Sequence, residues 1–181
     1  MKILELIVRL HIGQHIFPEL RFIVFVRDIN GSAPRDLHRG FIGRISELAR
    51  ELNIQPVVIQ DDPAVAGIGQ LSVAQVLFGD PGFGNFAMHR VEDHMLKFLQ
   101  EQPTRDPTQI AKIVEQQINV RLTQKQLIHL AIARVGYWGG EAGFYERVIG
   151  DVPDTSLLTF SDTVGLTSVL KVLMRADDPD I

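Results

Sequence analysis

Cysteine is absent from the 181 residues of this chain. Its absence excludes disulfides, thiolate nucleophiles and cysteine-liganded zinc sites, and it fits a reducing cytosol. The chain also has no excess of basic residues. Its net charge is −4, so the strongly basic surface typical of nucleic-acid-binding domains is missing overall. Four arginines in the first third of the chain, Arg27, Arg35, Arg39 and Arg44, still leave room for a local basic patch.

Long apolar segments are missing as well. No uninterrupted run approaches the roughly 18 residues that a membrane-spanning helix needs. Glu5, Arg9 and His11 interrupt the apolar N-terminus, and no small-residue cleavage site follows, which predicts that there is no signal peptide. We therefore expect a cytoplasmic protein without membrane contact. With 45% hydrophobic residues, the chain can bury the core of one domain, with or without a helical extension.

The most informative segment present is a strand that ends on an acid, followed by a helix and a second strand that ends on acids. Residues 21–28 are almost continuously apolar and end at Asp28, which predicts a central strand buried on both faces. Residues 34–53 carry an apolar stripe at helical spacing. The second strand ends at Asp61 and Asp62. These elements predict a βαβ unit, and parallel strands would place the three acids at one edge of the sheet, where open α/β folds bind ligands.

The rest of the chain is less regular at first and then helical. Residues 2–12 alternate in a way that favours a strand, although extra apolar positions leave a helix open. Residues 63–86 are rich in glycine and proline. Helices are predicted at 86–99, 107–118, 124–134, near 141–149 and at 161–175, and the tail from Asp177 to Asp180 is expected to fray. The predicted fold is an α/β domain over 1–102 with a small, partly parallel sheet. A helical extension over 103–181 packs on it, or the two form a single domain.

The strand-end acids suggest a magnesium site. Magnesium binds carboxylate oxygens and usually keeps several waters, so Asp28 with Asp61 or Asp62 could supply one or two ligands. Asn30 could add a neutral amide oxygen. The plainer interpretation is that these residues form turns, because Asp and Asn are common there.

A second polar cluster follows at His89, Glu92 and Asp93, which would lie within one turn of a helix. Glu92 could complete a carboxylate site whose ion would activate water and stabilise a phosphoryl oxygen. The alternative is a solvated helix face with a surface histidine.

The helices predicted at 107–118 and 124–134 have the arrangement of a helix-turn-helix. The second helix offers Gln124, Lys125, Gln126, His129 and Arg134 as DNA-reading side chains. The acidic composition argues against this function, and simple helix pairs are common packing units. The adjacent Tyr137 and Trp138 could stack on a base or close the end of a helical core.

The run from Ile23 to Asn30 resembles the acidic strand of TOPRIM-type proteins, which include topoisomerases, primases and OLD-type nucleases. The segment from Phe86 to Asp93 is similar to a second acidic segment of small TOPRIM-related proteins. The resemblance covers roughly residues 1–100 and is remote. The second acid of the family's Asp-x-Asp pair is Asn30 here, and the family's early glutamate has no match. The resemblance therefore implies a shortened or degenerate relative.

Two functions follow as expectations. The first is a divalent-metal-dependent, or degenerate, protein that processes nucleic-acid phosphodiesters; an active form would be a magnesium-dependent, nuclease-like hydrolase. Asp28 and Glu92 would be catalytic, Arg27 and Arg35 would neutralise phosphate, and the metal ligands would be Asp28, Asp61, Asp62 and Glu92. The second is a non-catalytic interaction module that associates with itself, for example as a homodimer, through an exposed apolar face larger than monomers usually carry.

Overall fold

The computed structural model describes residues 1–177; most of the tail that we expect to fray lies outside the described residues. The fold is mixed α/β, as predicted, with a four-stranded, partly parallel sheet in the N-terminal half and helices in the C-terminal half. The elements are α1 (Lys2–Gln14), β1 (Phe22–Asp28), α2 (Pro34–Glu51), β2 (Pro56–Asp61), β3 (Ala64–Ile68), β4 (Leu71–Phe78), α3 (Val91–Gln100), α4 (Thr108–Ile118), α5 (Gln124–Arg134), α6 (Gly140–Gly150), α7 (Asp154–Thr163) and α8 (Leu166–Asp177).

The chain divides into two compact units. Unit 1 comprises Met1–Arg27, Ser32–Leu77 and the C-terminal segment from Ser161, and unit 2 comprises Asp28–Gly31 and Phe78–Phe160. The sequence pattern predicts one boundary after residue 102, or a single domain. Hydrophobic periodicity identifies helices, but it does not indicate that the last helix returns to the sheet-containing unit.

The sheet of unit 1 has the order β1-β4-β3-β2. β3 is antiparallel to both of its neighbours, whereas β1 is parallel to β4. β1 and β2 therefore run in the same direction and end at the same side of the sheet. Two strands separate them, so at about 4.8 Å per strand spacing they lie about 14 Å apart.

The β3–β4 hairpin was not foreseen in the segment from 63 to 86. Ile68 and Leu71 are paired across a two-residue turn, and Gly69 adopts a φ of 59° there, which favours glycine. Three of the five residues of β3 are alanine or glycine, which have a low preference for strands, and this weakens the strand signal of Val65 and Ile68. The strand interpretation of residues 2–12 is also wrong, because this segment is α1, which buries Leu4 and Val8 four residues apart.

β1 lies at an edge of the sheet, and the prediction of a central strand buried on both faces is therefore wrong. Its Ile23 and Phe25 pack against the core of unit 1, and the Phe25 ring stacks on that of Phe41 with centroids 6.2 Å apart. The predicted stripe of α2 is confirmed, since Phe41, Ile45 and Leu48 are buried in that core. The opposite face of β1 is exposed.

Unit 2 contains α3 to α6 around a core that includes Leu99, Ile128 and Phe144. The single helix predicted at 161–175 is instead the end of α7 and most of α8, with Gly165 at a φ of 77° between them. Within residues 1–177, no single helix is long and apolar enough to cross a membrane; α7 and α8 meet the length and composition only together, and the chain bends between them.

Candidate functional site

Asp28 caps a helix of unit 2. Its Oδ1 accepts a hydrogen bond from the backbone N–H of Val91, the first residue of α3, at 3.1 Å. A carboxylate at this position satisfies a free N–H and interacts favourably with the helix dipole. Asn30 adds two further bonds: its backbone N–H donates to the His89 carbonyl at 2.9 Å, and its Oδ1 accepts from Arg90 Nε at 3.0 Å. Two residues of the first predicted site, Asp28 and Asn30, thus contact the start of α3, where the second polar cluster lies.

Asp93 is the centre of the second cluster and has no exposed surface. Its Oδ2 accepts from the backbone N–H groups of Asp80 at 3.0 Å and Arg90 at 3.1 Å, and it lies 3.0 Å from His89 Nδ1. Its Oδ1 accepts from Gln124 Nε2 at 3.1 Å. A buried carboxylate is stable only when it is well hydrogen-bonded, and four partners meet that requirement. Asp93 therefore holds the loop before α3 in place.

The loop before α3 is also held by His94. The ring Nε2 of this buried histidine accepts from the Gly79 backbone N–H at 3.1 Å, and the ring lies edge-on to Phe160 at 4.9 Å. Burial lowers the pKa of His94, and Lys97 lowers it further. Gly79 has a φ of 116°, and a Cβ there would lie 2.6 Å from the His89 carbonyl carbon. Only glycine fits at this position.

The acids at the end of β2 lie at a turn in unit 1. Asp61 pairs with Ala64 in the β2–β3 ladder, and Asp62 Oδ1 lies 3.5 Å from Nε2 of the buried His38. Nδ1 of His38 accepts from the Ala64 backbone N–H at 3.3 Å and contacts the Gln75 amide at 3.1 Å. Burial lowers the pKa of His38, and Asp62 partly opposes that effect.

The four predicted metal ligands thus have different structural roles. Asp28 belongs to unit 2 and caps α3, Glu92 lies on α3, and Asp61 and Asp62 belong to unit 1. Within the part of the chain that the structure describes, no three His, Asp or Glu side chains form a group that could hold a metal ion. The magnesium site stays a prediction without support from this geometry.

The polar side chains of α5, which would read DNA in a helix-turn-helix, contact their own unit. Gln124 binds Asp93, and Gln126 forms a capping box with Thr123. Lys125 Nζ and His129 Nε2 lie 3.6 Å and 3.7 Å from Glu141 Oε2. Arg134 donates to the Asp106 carbonyl. The five side chains thus take part in contacts within unit 2.

The outer face of β1 is a candidate interaction surface. Phe22, Val24 and Val26 project from the same side of the strand and are 46%, 37% and 47% exposed. Five consecutive apolar residues, 22–26, make up the exposed edge, with Arg21 and Arg27 at its ends. The other edge strand, β2, begins with a proline and has an irregularity between Val58 and Gln60. Prolines and bulges protect strand edges from pairing, and β1 has no proline.

Unit 2 contains a cavity of about 400 Å³. Its apolar wall includes Phe83, Phe86 and Leu96, and the charged residues that line it are Lys112, Glu115 and Arg121. Sequence reasoning missed this cavity, because its lining comes from a loop, three helices and the α4–α5 connection.

The two aromatic residues that follow α5, Tyr137 and Trp138, differ in burial. Tyr137 packs on Phe144 with ring centroids 5.8 Å apart, whereas Trp138 is 94% exposed. Tyr137 therefore closes part of the helical core, as the sequence allowed, and Trp138 has no such role.

Comparison with protein-family models, curated proteins and solved structures finds no match to this chain. Only the geometry of the two units therefore bears on function.

Proposed function

We propose that this protein is an interaction module that associates with itself by pairing β1 of one copy with β1 of a second copy. The observation that carries this proposal is the exposed edge of β1, where Phe22, Val24 and Val26 present apolar surface beside a row of backbone groups that faces away from β4. An exposed apolar edge strand is a template for pairing with another chain. Addition of a strand to a sheet edge is a common form of protein recognition.

A second copy is the occupant that fits this edge best. In an antiparallel pair centred on Val24, the Val24 side chains face each other and Phe22 of each copy faces Val26 of the other. Side chains directly opposite each other point to the same face, so the apolar residues meet across the two-fold axis. Such a contact is isologous and closes as a dimer, which joins two four-stranded sheets into one.

The polar features of the edge also predict how the dimer responds to salt. In this register, Arg21 of one copy faces Arg27 of the other at each end of the pair. Like charges directly opposite each other weaken strand pairing, and salt screens them. We therefore expect the dimer to become tighter as the salt concentration rises.

Analytical ultracentrifugation of the wild type and of Val24→Lys tests the proposal. Lysine on an edge strand prevents pairing, so we expect the wild type to dimerise with increasing concentration and Val24→Lys to remain a monomer. Val58→Lys, at an exposed position of the other edge strand, is the matched control and should still dimerise. Circular dichroism would verify that both variants are folded. A monomeric wild type, or a dimeric Val24→Lys, would overturn the proposal.

The register can be tested independently because the chain has no cysteine. Opposed residues in an antiparallel pair have Cα atoms about 4.5–5.5 Å apart, within the range that a disulfide can bridge. Val24→Cys should form a disulfide-linked dimer under mild oxidation, whereas Val58→Cys should not. A Val58→Cys dimer that forms as fast as the Val24→Cys dimer would indicate random collision.

A further inference from the structure

We infer that the cavity of unit 2 binds a small monocarboxylate with an apolar body, such as a medium-chain fatty acid. This inference is independent of the proposed self-association, which involves unit 1 alone. The cavity volume of about 400 Å³ falls within the roughly 300–1,000 Å³ of typical small-molecule sites.

Most of the cavity wall is apolar. Its wall is formed by side chains from the loop before α3, from the helices α3 to α5 and from the α4–α5 connection: Phe83, Phe86, Leu96, Ala111, Leu122 and Leu127. Two exposed amides, those of Asn85 and Gln100, also line it and have no hydrogen-bond partner among the described residues. Ligand sites typically combine such an apolar wall with a few polar groups that orient the ligand.

The charged residues are concentrated on one side of the cavity. Lys112, Glu115 and Arg121 line both the cavity and an adjoining surface depression of about 350 Å³. They therefore mark the place where the cavity meets the surface. A ligand with its apolar part in the cavity would hold its polar group among these three side chains.

The charge at this position favours an anion. Lys112 and Arg121 form no ion pair within residues 1–177, and their two positive charges are therefore not neutralised by a close partner. Glu115 is engaged, because its Oε1 accepts from the Leu122 backbone N–H at 2.7 Å. The net charge of the three side chains is +1, which matches one carboxylate better than a doubly charged phosphate. Arginine can also bind a carboxylate through two parallel hydrogen bonds.

Isothermal titration calorimetry with three ten-carbon probes tests the charge. We expect decanoate to bind about tenfold or more tightly than decanol, and decyltrimethylammonium to bind most weakly, because only the carboxylate gains charge-assisted hydrogen bonds. Lys112→Ala and Arg121→Ala should each weaken decanoate by about tenfold and leave decanol unchanged. Both positions are exposed, so these variants should fold.

Methyl NMR of the full chain tests the location. Decanoate should shift the methyl signals of Leu96, Leu122 and Leu127, which line the cavity, and should leave those of Leu4 and Leu48 in unit 1 unchanged. The inference would be overturned by shifts centred on unit 1, by no binding of decanoate at millimolar concentration, or by equal affinity for decanoate and decyltrimethylammonium. Binding of decanoate that neither variant weakens would also overturn it.

Discussion

The Oδ1 of Asp28 lies 3.1 Å from the backbone nitrogen of Val91 and accepts its hydrogen bond, which ties the end of β1 to the first turn of α3. This contact gives the most prominent acid of the sequence a structural role. A capping carboxylate and a metal-binding carboxylate are both negatively charged and exposed to some solvent, but they respond differently to substitution and to added ions.

Asp28→Ala and Asp28→Asn distinguish the two roles. The loss of a helix cap typically costs about 0.5–2 kcal/mol, so we expect Asp28→Ala to lower the free energy of unfolding by about that amount. Asparagine keeps an oxygen that can accept from Val91, so Asp28→Asn should lose less. Thermal melts followed by circular dichroism, with and without magnesium, provide the measurement. A magnesium-dependent rise of the melting temperature that is lost in Asp28→Asn would favour the metal site over the cap.

Asp93 should be far more important for stability than its neighbour on the same helix. Asp93→Ala removes the acceptor of the Asp80 and Arg90 backbone N–H groups, and we expect a loss of about 3–5 kcal/mol. Glu92→Ala is the control, since Glu92 is not fully buried and its effect should stay within about 1 kcal/mol. Urea unfolding measures both. Equal losses would show that the hydrogen bonds of Asp93 do not stabilise the loop.

Two glycines make a pair of opposite predictions. Gly79→Ala forces a side chain into a φ of 116° and against the His89 backbone, and we expect it to destabilise the protein by about 1–3 kcal/mol. Gly43 lies inside α2, and a Cβ added to it would meet nothing within 4 Å, so Gly43→Ala should stabilise by about 0.5–1 kcal/mol. Thermal melts of both variants would check the signs, and a stabilised Gly79→Ala would contradict the geometry of the loop.

Individual helices and strands follow from the sequence more reliably than the identity of the elements that pack beside them. The stripe of α2 and the helix at 124–134 follow local rules, and both are observed. The position of β1 depends instead on β3 and β4, which lie about 40 residues or more further along the chain. The apolar run of β1 has the same composition as a central strand, and no local signal distinguishes the two positions.

Prediction of the candidate sites has the same limit, because local contacts follow from the sequence pattern and distant contacts do not. The acidic end of β1 was recognised from its sequence, but the partner of Asp28 is 63 residues away. The sequence around this residue indicates turn formation or metal binding, whereas capping of a distant helix has no local pattern. The cavity of unit 2 could not be foreseen either, because it is formed where the loop, α3, α4 and α5 come together.

The buried histidines predict how stability depends on pH. Burial, followed by the effect of Lys97, lowers the pKa of His94 from its usual 6.5, and burial also lowers the pKa of His38. The unfolded chain then binds protons that the folded chain excludes. The contribution of the neutral rings is therefore complete above about pH 6.5 and declines as the pH falls below it. Urea unfolding between about pH 5 and about pH 7 should show the free energy of unfolding rising with pH.

Replacement of His94 by glutamine removes the titration and keeps a polar side chain near the Gly79 N–H, so His94→Gln should show a smaller rise of stability over the same pH interval. The exposed His15 provides the control, and His15→Gln should keep the wild-type dependence. The carboxylates with lowered pKa values, Asp80, Glu5 and Glu141, lose their contribution only at lower pH, as they become protonated, so the chosen interval separates the two effects. An unchanged dependence in His94→Gln would mean that this ring is not a source of the pH effect, because a depressed pKa requires the folded state to resist its protonation.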